Sequence, residues 1–344
     1  MEHIDPTSCP SQGNHVVLKL VMSVSLRQLQ DNLGVGVVAD VLLAPYTNFK
    51  IGGPAKYLFE ARTSEDLVKA VQVANEFKLP LVVLGGASNV LVADKGVTGL
   101  VVLVRNNQLK IEGTTVTADA GVNLGFLVQK TVAAGLTGLE PLVAVPGTVG
   151  GAVYGNAGVP QVGRGFIGDW VTSVTVCRED KLVLLAQADC GFSYRESAFK
   201  HSSDVIVSAT FMLARGEVGK SQELIKKYIA ARKGQPYSKP SSGCIFMNVP
   251  IMDTEAVKQK FAGEEKLDEF LKRGQLPASW LIDRAGLKDK TIGGIQVSTD
   301  HANYLINVGG GTAEQVVQMI SYIKQQVRDK FSQQLIEEVR YLGF

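Results

Sequence analysis

Residues 81 to 89 read LVVLGGASN. The continuous apolar run LVVL, preceded by Pro80 and followed at once by two glycines, predicts a buried strand that stops in a tight turn. Upstream, TSEDLVKAVQVANEFKLP (63 to 80) puts Leu67, Val68, Val71, Ala74 and Phe77 on one helical face, with Ser64 as the expected cap and Pro80 as the stop. Downstream, Asn123 is placed to cap a second helix, LGFLVQKTVAAG, that ends at Gly135. WVTSVTV and KLVLLAQ, joined by CRED, predict a hairpin, and DVIVSATFML another strand. The first half is therefore mixed α and β.

At about residue 216 the composition shifts. EVGKSQELIKKYIAARKGQP is charged and helical, and a second unit is expected to begin there. TIGGIQVS and NYLINV read as strands, and TAEQVVQMISYIKQQVRDKF keeps Val316, Ile320, Ile323, Val327 and Phe331 at helical spacing. In a closing strand LIEEVRYLG, alternation sets Glu338 beside Arg340, where an ion pair would suffice. The chain shows no internal repeat or low-complexity tract.

The 344 residues, 45% apolar and 20% charged, are enough for two or three packed domains. A net charge of +2 gives no basic excess of the kind that nucleic acid binding needs. Cys9, Cys177, Cys190 and Cys244 form no C-x-x-C pair, which argues against a metal site and a disulfide framework and fits a reducing cytoplasm. The apolar run HVVLKLVMSVSL is interrupted by Lys19 and too short to span a bilayer, so neither export nor a membrane anchor is expected. Residues 1–22 read as an extension, with Met22, just before the helix-like SVSLRQLQDNL, as a possible start.

Three glycine-rich stretches stand out: IGGPA (51 to 55), GGASN (85 to 89) and VPGTVGGAVYGNAG (145 to 158). Each alone reads as a turn. Together, with Ser88, Asn89, Thr148 and Asn156 as polar donors, they point to a nucleotide cofactor, because glycine lets backbone amides approach a diphosphate. GVGVVA (34 to 39) has dinucleotide-fingerprint spacing but follows a helix and precedes a strand, the reverse of the required order. GGGTAEQ (309 to 315) reads as a turn with Thr312 as a helix cap. Taken singly, Arg195 reads as an ion-pair residue and Cys244 as a small buried hydrophobe.

The motifs TNFKIGGPA, LGGASNVLV, GLTGLEPLVAVPGTVGGAVYGNAG, YRESAFK, SSGCIFMN, WLIDRAGLKDKTIGGIQVSTDHANYLIN and EEVRYLG follow one another in a single order. This set, over residues 24 to 344, closely resembles the UDP-N-acetylenolpyruvoylglucosamine reductase family, flavoproteins of bacterial cell-wall precursor synthesis. The resemblance implies an α+β fold: a two-lobed FAD-binding domain of the PCMH and vanillyl-alcohol oxidase kind at residues 23–215, a smaller α+β substrate-binding domain at 216–334, and a C-terminal strand, 335–344, returning to the first lobe. It implies FAD as cofactor, NADPH as reductant, and UDP-N-acetylglucosamine enolpyruvate as substrate.

By the same resemblance, Arg195 would hold the substrate carboxylate and the charge that develops beside it, Glu338 would orient or polarise the substrate, and Cys244 would protonate the carbanion carbon. A mostly protonated thiol suits that last role. Gly85, Gly86, Ala87, Ser88 and Asn89 would meet the diphosphate, and Gly147, Thr148, Gly150, Gly151 and Gly158 the rest of the FAD, with Tyr46 and Asn48 as further flavin contacts. Tyr194, Asn248 and His301 would touch substrate. Two departures appear: Met247 stands where the family commonly has lysine, and the short stretch from Arg195 to Cys244 resembles the subgroup without an extra substrate-covering loop. Rival readings are another flavin-dependent oxidase on the same fold and a non-catalytic flavin or UDP-sugar binding protein.

Overall fold

The structure is a computed structural model that describes residues 24–159, 165–236 and 238–344. The expected extension, with Met22 and Cys9, lies outside the described residues.

After helix α1 (Leu26–Leu33), a first lobe is built from β1 (Val38–Leu42), β2 (Pro54–Ala61), helix α2 (Ser64–Glu76), β3 (Leu81–Leu84), β4 (Val90–Val92) and β5 (Val97–Val104). Its sheet runs β1-β2-β5-β3, with β2, β5 and β3 parallel. The cap of α2 is Thr63, not Ser64: Thr63 Oγ1 accepts from the Asp66 amide at 3.0 Å, and the Asp66 carboxylate accepts from the Thr63 amide at 3.0 Å. Ser64 is the first helical residue, and its hydroxyl reaches across to Asp119. β3 is only half-buried, because one side of it faces a cavity.

The second lobe comprises β6 (Leu109–Glu112), β7 (Thr115–Asp119), α3 (Leu124–Ala133), β8 (Leu136–Thr137), α4 (Val149–Tyr154), β9 (Val171–Arg178), β10 (Lys181–Ala186), β11 (Val205–Met212) and β12 (Ala214–Arg215). Its antiparallel sheet has the order β10-β9-β11-β7-β6. The β9–β10 hairpin closes on Glu179 and Asp180 alone, both at positive φ, so its loop is two residues long rather than the four of CRED. Leu67 and Leu100 of the first lobe share one core with Leu127, Val174 and Phe211 of the second.

The remaining elements are α5 (Val218–Ala231), β13 (Val249–Pro250), α6 (Thr254–Lys260), α7 (Leu267–Arg273), β14 (Gln275–Leu276), α8 (Ala278–Arg284), β15 (Thr291–Ile292), β16 (Ile295–Val297), β17 (Leu305–Asn307), α9 (Ala313–Phe331) and β18 (Arg340–Leu342). The composition shift at 216 precedes the change of core: Ile225 of α5 still packs on the first core, and the second core draws its residues from Ile245 onward. That second core also takes in Phe49, Ile51 and Leu91 of the first lobe. Thr312 caps α9 as expected, and the Ala313 and Glu314 amides donate to Asp94 at 2.9 and 3.1 Å. The first lobe thus supplies the carboxylate that this helix end favours.

β18 pairs in parallel with β4, Arg340 opposite Val90. The closing strand is shorter than the pattern LIEEVRYLG predicts. Before β18 the chain crosses the SSGC segment, where the Met247 amide donates to Ile336 O at 2.9 Å and the Glu338 amide to Ile245 O at 2.7 Å.

One buried carboxylate ties α5 to the first unit. Glu140, 2% exposed, accepts hydrogen bonds from Ser221 Oγ (2.5 Å), Thr137 Oγ1 (2.6 Å) and the Gly138 amide (2.7 Å). Burial pushes its pKa up, but the bonds from Ser221, Thr137 and Gly138 outweigh that and hold it below the ordinary carboxylate value. A depressed carboxylate stabilises the fold above its unfolded pKa and loses that contribution as pH falls through the folded pKa. Glu140→Gln is therefore expected to cost about 1.5–3 kcal/mol at neutral pH in urea unfolding. The gap to the parent should close on acidification; a gap that does not change with pH would contradict the assignment.

Candidate active site

The loop after β3, the segment around α4, the YRES turn, the SSGC segment and the crossing strand converge on one cavity of about 1700 Å³. Gly85, Gly86, Ala87, Ser88, Asn89, Gly147, Thr148, Gly150, Gly151, Gly158, Tyr194, Arg195, Cys244, Asn248, His301 and Glu338 all line it. Two expected flavin contacts do not. Tyr46 packs against the small apolar cluster around Leu43, and Asn48 is exposed, its amide donating to Ala87 O at 3.2 Å. The IGGPA stretch is also away from the cavity wall: its Gly53 amide bonds to Ala93 O, and a Cβ there would lie 2.1 Å from Asp94 O. Those glycines serve chain packing.

At the two stretches that do reach the cavity, glycine has a different use from the one expected. A Cβ on Gly85 would come within 2.2 Å of Thr148 Oγ1, and one on Gly86 within 2.8 Å of Gly147 Cα, so these residues let the two loops touch each other. The expected side-chain donors are also engaged within the protein. Ser88 Oγ donates to Pro146 O (3.1 Å), Asn89 Nδ2 to Glu338 O (3.2 Å) and Asn156 Nδ2 to Ser193 O (2.6 Å), while Thr148 caps α4. What remains is backbone: the amides of Gly86, Ala87 and Ser88, residues that line the cavity, have no protein acceptor among the described residues, and Ala87 sits at φ +46°. Successive amides in such a turn form an anion-binding nest. This nest, the apolar wall of β3 and the size of the cavity fit a dinucleotide.

The reactive groups lie further along the same cavity. In the turn from Ser193 to Glu196, Arg195 occupies φ +55°, a conformation that favours glycine. Its guanidinium carbon lies 5.9 Å from the Phe166 ring centroid and 6.0 Å from that of Tyr194. Arg195 Nε is 3.1 Å from Glu338 Oε1, yet the N–H is not aimed at that oxygen and makes no hydrogen bond. The partner of Glu338 is thus Arg195 rather than Arg340, whose guanidinium lies 5.8 Å from the Tyr154 ring. Among the described residues, three buried side-chain polar atoms lack a hydrogen-bond partner: Arg195 Nε, Ser242 Oγ and His301 Nδ1. All three residues line this cavity. Buried polar groups are normally satisfied, so three orphans around one cavity leave partners for a ligand to supply.

Electrostatically, burial favours the neutral forms of the groups around Arg195. Burial, helped by Glu338, pushes the Cys244 thiol up to about 12, against the pull of Arg195 and Arg232. Burial also raises Glu338 against Arg195 and Lys200, raises Tyr194, and lowers His301. Asn248 braces the wall, its amide donating to the Tyr194 hydroxyl (3.4 Å) and its Oδ1 accepting from the Ala278 amide (3.3 Å). Met247 does not line the cavity. Tyr154, Lys200, Arg232, Ser242, Tyr304 and Arg340 do, and the sequence reading passed them over. Tyr154, Lys200, Ser242, Tyr304 and Arg340 lay within motifs already singled out; Arg232 lay outside them, in a stretch read only as a charged helix.

A model of the FAD binding domain matches residues 55–184, and one of the UDP-N-acetylenolpyruvoylglucosamine reductase C-terminal domain matches residues 235–342. UDP-N-acetylenolpyruvoylglucosamine reductase of Solibacter usitatus is 36% identical over 309 residues, covering 89% of this chain and 97% of the relative. That of Rubrobacter xylanophilus is 34% identical over 307 residues, 88% of this chain and 94% of its own. The crystal structure of the Thermus caldophilus reductase superposes with a TM-score of 0.70 at 30% identity, over 88% of this chain and 98% of that one. With a dinucleotide cradle and an arginine, thiol and carboxyl on one wall, the chain belongs to the UDP-N-acetylenolpyruvoylglucosamine reductase family.

Proposed function

We propose that this protein reduces the enolpyruvyl double bond of UDP-N-acetylglucosamine enolpyruvate at the expense of NADPH, giving UDP-N-acetylmuramate for peptidoglycan precursor synthesis. The observation that carries this reading is the Arg195 guanidinium, within 6.0 Å of two aromatic ring centres, with its Nε–H unmatched and with Cys244 and Glu338 lining the same cavity near it. FAD would be held by the Gly86–Ser88 amides and the segment from Gly147 to Gly158 and would supply the hydride exchange. A cavity of about 1700 Å³ exceeds an ordinary ligand pocket and leaves room for a further ligand beside the cofactor.

Arg195 offers the enolpyruvyl carboxylate a planar fork of donors. As hydride arrives at one alkene carbon, negative charge spreads over the other carbon and the carboxylate, where the guanidinium stabilises it. Cys244, held fully protonated by burial, then gives its proton to that carbon and is left as a thiolate to be reprotonated from solvent. Glu338, whose pKa burial raises, would lie beside the same carboxylate and orient it, donating a hydrogen bond to it only when protonated. A reducing cytoplasm, which keeps Cys244 a free thiol, is the compartment this chemistry requires.

The direct test follows flavin absorbance of the purified protein under anaerobic conditions. NADPH should bleach it and the UDP-sugar should restore it; bleaching without restoration would refute the proposed substrate. Cys244→Ala should slow restoration by about 10²- to 10⁴-fold while leaving bleaching unchanged, and Cys244→Ser should keep most of the rate. Arg195→Lys keeps the charge but loses the fork, and stopped-flow measurement should show restoration slowed by about 100-fold.

A further inference from the structure

We propose that Lys200 is a positioning residue, which holds the Arg195 peptide in its left-handed conformation and so keeps the guanidinium turned into the cavity. The inference rests on the reading of Arg195 as the carboxylate-binding group.

The two backbone bonds that close the turn, Glu196 N to Ser193 O at 3.1 Å and Ser193 N to Glu196 O at 3.2 Å, leave the Arg195 carbonyl outside them. Lys200 Nζ donates to that carbonyl. The lysine is itself anchored. Its amide bonds to Ser197 O at 3.2 Å, Ser197 Oγ donates to Tyr154 O at 2.7 Å, and the neighbouring Phe199 is 1% exposed in the first core.

A lysine side chain only 13% exposed would ordinarily hydrogen-bond a carboxylate. Here Glu196 Oε2 forms only a long ion pair with Lys200 Nζ, 3.9 Å away, and Oε1 is bound to His201 Nε2 (3.0 Å) and the Ser197 amide (3.1 Å). The ammonium is thus committed to a backbone oxygen, at a desolvation cost that also lowers its pKa. Arg195, Glu338 and Arg340 are the other charged groups acting on it. A non-glycine residue in the left-handed region persists only where its surroundings hold it. Among the described residues, Lys200 Nζ is the side chain that bonds the Arg195 carbonyl.

Lys200→Met keeps the stem and removes the donor; Lys200→Arg restores a donor. In the flavin-bound protein, crystal structures of Lys200→Met should show Arg195 returned to negative φ, and those of Lys200→Arg should keep it positive. An unmoved Arg195 peptide in Lys200→Met overturns the inference whatever the substrate proves to be. In solution, Lys200→Met should slow restoration of flavin absorbance by the UDP-sugar by at least about tenfold, with bleaching by NADPH and melting temperature unchanged. In an Arg195→Ala background the same change should have little further effect, because it acts through a residue already removed. An equal loss in both backgrounds overturns the inference, as does a melting temperature that falls in parallel with activity. Failure of the parent protein to respond to the UDP-sugar would count against the proposed substrate, and the Arg195 conformation would still decide the role of Lys200.

Discussion

The parallel pairing of Arg340–Leu342 with Val90–Val92 brings the end of the chain onto the strand that follows the GGASN turn. Its effect reaches beyond three residue pairs. To arrive at β4, the chain must pass the SSGC segment, where the Glu338 amide bonds to Ile245 O and Asn89 Nδ2 takes up Glu338 O across 249 positions of sequence. Closing so long a loop carries an entropy cost that this short ladder offsets only with the buried contacts of Leu335 and Val339 in the second core. Remove the crossing, and Glu338 has no reason to face Arg195, nor Cys244 to share a wall with the nucleotide cradle.

The cradle obeys the same rule of contact before chemistry. Glycines at 85 and 86 let one loop press on another, and the side chains of Ser88, Asn89 and Asn156 fasten the loops to Pro146, Glu338 and Ser193. With those groups engaged, a run of backbone amides is left for an anion. Rigid loops present such donors without reorganisation, which is what a charged ligand in a low-dielectric site requires.

Burial sets the charge balance of the reactive end. It pushes Cys244 and Tyr194 toward their neutral acids and His301 toward its neutral base, and it raises Glu338 as well. Among them stands the Arg195 guanidinium, 3.1 Å from Glu338. In the proposed reaction, an anionic substrate would meet a wall whose fixed charge is attractive, beside a thiol that burial keeps protonated.

Much of the fold was legible in short stretches of sequence. The helices capped by Asn123 and Thr312, the strand LVVL and the hairpin around Glu179 depend on spacings of one to four residues, which any window of sequence displays. Even there, Thr63 rather than its neighbour Ser64 took the cap, because Asp66 completes a reciprocal bond with it. Arg195, Cys244 and Glu338 were nameable from their motifs. Which glycine stretch met the cavity, that Arg195 rather than Arg340 faced Glu338, and that Lys200, Arg232 and Ser242 joined the wall were decided by tertiary structure alone. These facts depend on contacts between distant segments and on which polar atoms burial leaves without partners, and neither is encoded in local periodicity.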